Sequence, residues 1–318
     1  MKRTVLLVVA ALLIVLGGVV FVVTMSAAGW DFLRLSNTEY ETKVYEISDS
    51  FHAIDINDNT VDIRILPSED GKCRVELCEN ENMPHSVTVE GDTLKIRFED
   101  TRKWYETIEI FGFSERIDLY LPEGTYKALK IESDTSDVIV SERLAFETIQ
   151  IALSTGDLDC SASASGAVKI TTSTGDVKLE NIAAGELSVV TSTGRITAKT
   201  IVCEGDIKVT VNTGDVKILD SVCKSLFTEG DSGDLFAENL IAKERFVIER
   251  DTGDVTLEKC DAAEIYIETS TGDVWGVLLS DKTFFVETDT GEIEIPRGTS
   301  GGRCEIETDT GDVEIKIQ

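Results

Sequence analysis

In the second half of the chain apolar and polar residues alternate around recurring glycines. Val168, Ile170 and Thr172 lead to Gly175, Val177 and Leu179 follow it, and Ile182 closes the unit. Ile207, Val209, Val211, Val216 and Ile218 repeat the arrangement about Gly214. A period of two predicts strands, because successive side chains of a strand point to opposite faces. Each unit therefore reads as a strand of about six residues, a tight turn, a second short strand and a loop back.

The turn carries a motif that returns at a fixed interval. It reads STGD at 154–157 and 173–176, STGR at 192–195, NTGD at 212–215, DSGD at 231–234, DTGD at 251–254, STGD at 270–273, DTGE at 289–292 and DTGD at 309–312, with a degenerate DTSD at 134–137. The structural turn glycines Gly156, Gly175, Gly194, Gly214, Gly233, Gly253, Gly272, Gly291 and Gly311 are 19 or 20 residues apart. So short and strict a period means stacked units. Glycine reaches positive φ without steric cost, and a short Asp bonds nearby turn amides. Before the glycines stand Thr135, Thr155, Thr174, Thr193, Thr213, Ser232, Thr252, Thr271, Thr290 and Thr310, whose hydroxyls would form a ladder in an in-register stack. A lone unit buries too little apolar surface to offset its ordering entropy, so stacking must stabilise it. The fold expected is all-β: a β-solenoid of about ten turns, near 48 Å long at about 4.8 Å per turn. A meander or sandwich of hairpins is the alternative. The C-terminal unit, ending at Ile317 and Gln318, is expected to form an uncapped end whose edge pairs with another chain.

The lead-in is less regular. Ile54, Ile56, Val61, Ile63 and Ile65 around 57–60 look like a worn copy of the same arc, and Val87, Val89, Leu94, Ile96 and Phe98 read as a hairpin turning at Gly91. Ile117, Leu119 and Leu121 lead through Pro122 into the repeats. This β-rich region, 46–126, is expected to cap the N-terminal end of the repeats at 127–318. Within it Trp104, Tyr105, Phe111 and Phe113, with Ile108 and Ile110, lie beside Arg102, Lys103 and Arg116. They are either a binding patch of rings next to cations or rings packed over the end of the core.

Residues 5–23 are apolar, follow Lys2 and Arg3, and are long enough to cross a bilayer. A cytoplasmic N-terminus at 1–4, a transmembrane signal-anchor helix at 5–25, a linker at 26–45 and an exported remainder follow from the basic pair at the start. Ser26 and Ala28 also fit a signal-peptide cut before Gly29. Either way the repeats face out of the cytoplasm, and the uncleaved helix would hold them at the bacterial membrane in a single pass.

Composition removes several functions. The 318 residues carry 30 Lys plus Arg against 59 Asp plus Glu, net −29, which repels nucleic acid. His52 and His85 are the only histidines, too few for a multi-His metal site. No catalytic residue and no cofactor site is indicated. Seven cysteines mostly fill slots for small buried hydrophobes, although Cys203 and Cys223 fall at equivalent places in consecutive units and invite a disulfide. Charge is uneven: from 229 to the end 23 acids face 8 bases, against 14 and 10 in 127–228.

The motif series, with STGDV at 173–177, DTGDV at 251–255, STGDV at 270–274 and YLPEG at 120–124, resembles the bacterial DUF4097 family of proposed adhesins from 51 to 318. The resemblance implies an exported β-solenoid, sometimes tied to envelope-stress systems, and no catalytic residues. Arg195 and Glu292 depart from the usual Asp.

The function expected is a membrane-anchored, outward-facing, non-enzymatic module for surface binding, adhesion or envelope-stress sensing. Its candidate partners are the membrane, through the N-terminal helix, and envelope polymers, cationic peptides or another envelope protein. A calcium-binding solenoid is an alternative, with Asp157, Asp176, Asp215, Asp234, Asp254, Asp273 and Asp312 standing in a row. A polysaccharide-acting enzyme is a further one, since paired acids perform such chemistry, but the turns are too short to build a cleft.

Overall fold

A computed structural model describes residues 2–27, 29–30, 40–80, 84–99, 115–298 and 300–318. Among the described residues a single helix, α1 (Lys2–Ala27), precedes a long coil of parallel strands. Val8–Ala27 is long and apolar enough to cross a membrane, by length and composition. The aromatic patch candidates Trp104, Tyr105, Phe111 and Phe113 lie outside the described residues.

The strands form two 14-stranded sheets that face each other across one continuous core. In a typical unit a long strand, such as Ser163–Thr174, runs in one sheet, turns at Gly175, and returns as a short strand, Val177–Glu180, in the other. Neighbouring units pair in parallel and in register, with Thr155 beside Thr174, Thr174 beside Thr193 and Val177 beside Ile196. Inward positions repeat every turn. Ile196, Val216, Leu235, Val255, Val274 and Val313 form one buried column, and Val168, Leu187, Ile207, Leu226, Phe246 and Ile265 another. The solenoid is present; the sandwich is not.

Glycine at the turn is required by more than its dihedral. Gly194 has φ 147°, and a Cβ placed on it would sit 2.0 Å from the carbonyl oxygen of Gly175 in the unit below. The same approach, 2.0–2.3 Å, recurs from Gly156 to Gly311.

A second turn, which the glycine motif does not announce, recurs in five successive units. Asn181, Thr200, Asp220, Asn239 and Lys259 all take left-handed backbone conformations, with φ of 49–57°. Asn and Asp tolerate this region, whereas Thr, branched at Cβ, does not. Thr200 is exposed. Replacing it (Thr200→Asn) is expected to stabilise the chain by about 1 kcal/mol, read as a rise in the urea midpoint at unchanged slope.

The two ends are wound out of sequence order. At the N-terminal end β1 (Tyr40–Ile47), β2 (Ala53–Asp58), β3 (Asp62–Pro67), β4 (Cys73–Asn80), β5 (His85–Glu90), β6 (Thr93–Phe98) and β7 (Arg116–Leu121) precede β8 (Thr125–Thr135) and β9 (Val138–Val140). The β2/β3 arc is the worn copy expected, and it pairs directly with β8 and β9. The β6/β7 arc stacks on its far side. Antiparallel strands then close this end: β5 on β6 through the turn at Gly91, β4 on β7, and β1 on β4.

At the other end the C-terminal unit, Gly302–Thr310 with Val313–Ile317, inserts between the unit of Glu264–Thr271 with Val274–Leu278 and the unit of Lys282–Thr290 with Ile293–Glu294. The expectation that the chain terminus forms the open end is therefore corrected. The outermost unit is 282–294, and the C-terminal strands are held on both sides.

One core residue is out of character. Arg250 is 3% exposed, and none of its guanidinium nitrogens has a hydrogen-bond partner. It occupies a column that otherwise holds Thr172, Thr191, Val211, Gly230, Thr269, Thr308 and Thr288. Its Nη1 fills the space above Gly230, lying 1.8 Å from where a Cβ there would stand. Burial pulls its pKa below the ordinary arginine value, and the Asp215 and Asp234 charges oppose that pull.

Candidate functional site

The aspartates of the repeated turn stand in the row expected, and they have a structural task. Each Oδ1 accepts the backbone N–H of the equivalent residue in the next unit. Asp157 accepts from Asp176 at 2.8 Å, Asp176 from Arg195 at 2.7 Å, Asp215 from Asp234 at 3.1 Å, Asp234 from Asp254 at 2.9 Å and Asp254 from Asp273 at 2.8 Å. The ladder starts earlier than the motif, at Asp62, which accepts from Asp137, which in turn accepts from Asp157. It follows spatial order at the far end, where Asp273 accepts from Asp312 and Asp312 from Glu292. Glu292 thus departs from Asp at the place where no further N–H remains to be held. Arg195 breaks the series, and its guanidinium lies 3.7 Å from Asp176.

The threonine hydroxyl ladder is corrected by the same observations. The threonines do stack in register, but among the described residues no hydroxyl bonds to the next. Their carbonyls accept instead, as from Gly156 N–H to Thr174 O at 3.0 Å and from Gly175 N–H to Thr193 O at 3.0 Å. With one oxygen of each Asp committed to backbone, the row is a clasp between turns. Among the described residues no group of three or more His, Cys, Asp or Glu is placed to hold a metal.

Six of the cysteines are buried, and Cys78 lies half-buried on the other face of its strand. Cys203 and Cys223 lie side by side, next to the paired Val202 and Val222, yet all seven cysteines are free thiols, so the disulfide does not form in this structure. Burial pushes the Cys73, Cys160, Cys223, Cys260 and Cys304 thiols up to about 12, which leaves them unreactive.

The outer face of the long-strand sheet carries the unevenness of charge. Glu229, Glu249, Glu268, Glu307 and Glu287 stand side by side on successive strands, all exposed. Among the described residues none of them has an ion-pair partner. Flanking them on one side are the exposed Asp231, Asp251, Asp309 and Asp289. On the other runs a column of Phe227, Val247, Tyr266, Glu305 and Phe285, with the Arg303 guanidinium 4.3 Å from the Phe285 ring centre. A shallow cleft of about 180 Å³ opens between them, lined by Val247, Glu249, Tyr266, Glu268, Glu305 and Glu307. Like charges repeating at the strand spacing repel one another, and the surface field they build attracts cations and weakens with salt. Sequence reasoning placed the acidity in this half but missed the column, although each of the five glutamates stands four residues before a turn glycine.

The geometry defines an all-β solenoid with an N-terminal apolar helix, an acidic outer face and one end on which no described strand pairs. The Toastrack DUF4097 profile matches residues 51–235 and, overlapping, 186–318, and the chain belongs to this family. Among solved structures, the chain is similar to a proposed adhesin from Bacteroides fragilis at 16% identity and TM-score 0.44, covering 89% of this chain and 98% of that one. It is also similar to a proposed lipid-binding protein from Parabacteroides distasonis at 13% identity and TM-score 0.43, covering 87% and 97%. A proposed adhesin from Parabacteroides merdae matches at 13% identity and TM-score 0.31, covering 89% and 98%. No curated protein matches the chain.

Proposed function

We propose that the chain is a non-enzymatic binding module of the bacterial envelope, anchored by α1 and directed outward. In this reading the distal half of the solenoid captures cationic partners on its acidic face. The observation that carries it is the unpaired column of Glu229, Glu249, Glu268, Glu307 and Glu287. Beside it the Phe227, Val247 and Tyr266 column offers apolar contact, so a partner combining positive charge with apolar groups suits the face better than a bare ion. Cationic peptides and basic patches of envelope proteins have that chemistry. Lys2 and Arg3, at the start of α1 and ahead of its apolar stretch, favour the outward orientation. A calcium role lacks such an observation, since the candidate aspartates already hold the next turn.

The test is binding of polylysine to the full chain in detergent micelles or nanodiscs. Affinity is expected to fall about tenfold or more when ionic strength rises from about 0.05 to about 0.5 M, and similarly in the triple variant Glu229→Gln, Glu249→Gln, Glu268→Gln. Binding that ignores both changes would overturn the reading.

A further inference from the structure

The end of the solenoid formed by 282–294 is a core cut open. No described strand pairs with the outer side of Lys282–Thr290 or of Ile293–Glu294. The inward positions that are shut elsewhere are open here. Cys304, Ile306 and Val313 in the neighbouring unit are 0–1% exposed, but their counterparts Phe284 and Val286 are only half-buried and Ile293 is 44% exposed. The opposite end of the coil is closed by antiparallel strands, so the contrast is between two ends of one molecule.

The side chains of this edge alternate. Phe284 and Val286 face the core, while Glu287 and Asp289 face outward. In the return strand Ile293 and Ile295 face the core, with Glu292 and Glu294 outward. An added strand must therefore bring apolar residues at every second position to cover the open core. Between them it must bring side chains that sit about 5 Å from carboxylates. A second copy of this chain would set carboxylate against carboxylate, which is the device by which sheets refuse their own kind. Lysine or arginine at the intervening positions reverses the sign.

We infer that the 282–294 edge is a strand-docking site for an extended basic polypeptide segment, alternating apolar residues with lysine or arginine, which adds as a further turn of the coil. The inference rests on reading the chain as a binding module; of the glutamate column it shares only Glu287, at the edge itself, which the triple Gln variant leaves unchanged. Main-chain bonds to the free edge give affinity, the apolar positions seal Phe284, Val286 and Ile293, and the charges select the partner.

The probe is a synthetic peptide alternating lysine with valine, bound to the full chain in micelles and followed by fluorescence anisotropy. Its control is the same peptide N-methylated at every residue, which keeps the charge but has no main-chain N–H to donate from either edge. In the triple Gln variant of the acidic face the unmodified peptide is expected to keep binding, and the N-methylated one to bind at least about tenfold more weakly. Glu292→Lys with Glu294→Lys is expected to weaken binding by a similar factor, as is the core-facing Val286→Lys. Equal binding of both peptides, with all of it lost in the triple Gln variant, would overturn the docking site and leave the acidic face standing. No binding by the wild-type chain would overturn both. Self-association abolished by Val286→Lys, read by sedimentation, would assign the edge to a second copy instead.

Discussion

Replacing Gly194 with alanine is expected to cost about 2–6 kcal/mol. Its Cβ would stand 2.0 Å from the Gly175 carbonyl oxygen, an atom of backbone that cannot swing aside. Two terms add: overpacking of about 1–3 kcal/mol and a strained dihedral of about 1–3 kcal/mol, since φ is 147°. Because each turn touches only its neighbours, the damage falls on the coupling between the units on either side. Urea unfolding should accordingly separate into two transitions where the parent shows one. A variant with an unchanged midpoint would mean that the turns can part without loss, contrary to in-register stacking.

The second large effect runs the other way. Arg250 is a buried cation whose three nitrogens lack partners, and such a charge is costly to hold in a core. The replacement Arg250→Met removes the charge and keeps side-chain volume in the space above Gly230, which stays glycine because a Cβ there would also stand 2.6 Å from the Val211 carbonyl oxygen. It is expected to stabilise the chain by about 1–4 kcal/mol. Gly230→Val is expected to destabilise it, because the new side chain meets both that backbone oxygen and the guanidinium. Chemical denaturation of the three proteins measures both signs. A destabilised Arg250→Met variant would show that Arg250 is held by attractions, to Asp215 and Asp234 above all, that outweigh its desolvation.

Much of this architecture was legible in the chain because one physical constraint repeats. A glycine every 19 or 20 residues with alternating neighbours leaves few arrangements other than stacked turns, and the aspartate beside it marked the line along which they join. The role of that aspartate was harder to read. A carboxylate that accepts a neighbour's N–H and one that awaits a metal look alike in sequence, and only the 2.7–3.1 Å contacts distinguish them. Thr200 and Lys259 concealed the second turn because no common residue type marks it, although Asn181 and Asn239 lie at the same period. The order of the end units was not legible at all. Copies with interchangeable edges satisfy the same pairing in several orders, so the sequence order 282–294 then 302–317 does not dictate which lies outermost.

That exchange of the last two copies changes how the molecule can be completed during synthesis. In a coil wound strictly in order, each repeat could settle as soon as it left the ribosome. Here residues 282–294 cannot take their final place until residues 302–318 have threaded in beneath them, since the neighbour they rest on is Gly302–Thr310. The 302–318 segment is thus a keystone, and a chain that stops short of it lacks one course and leaves the one above it out of place.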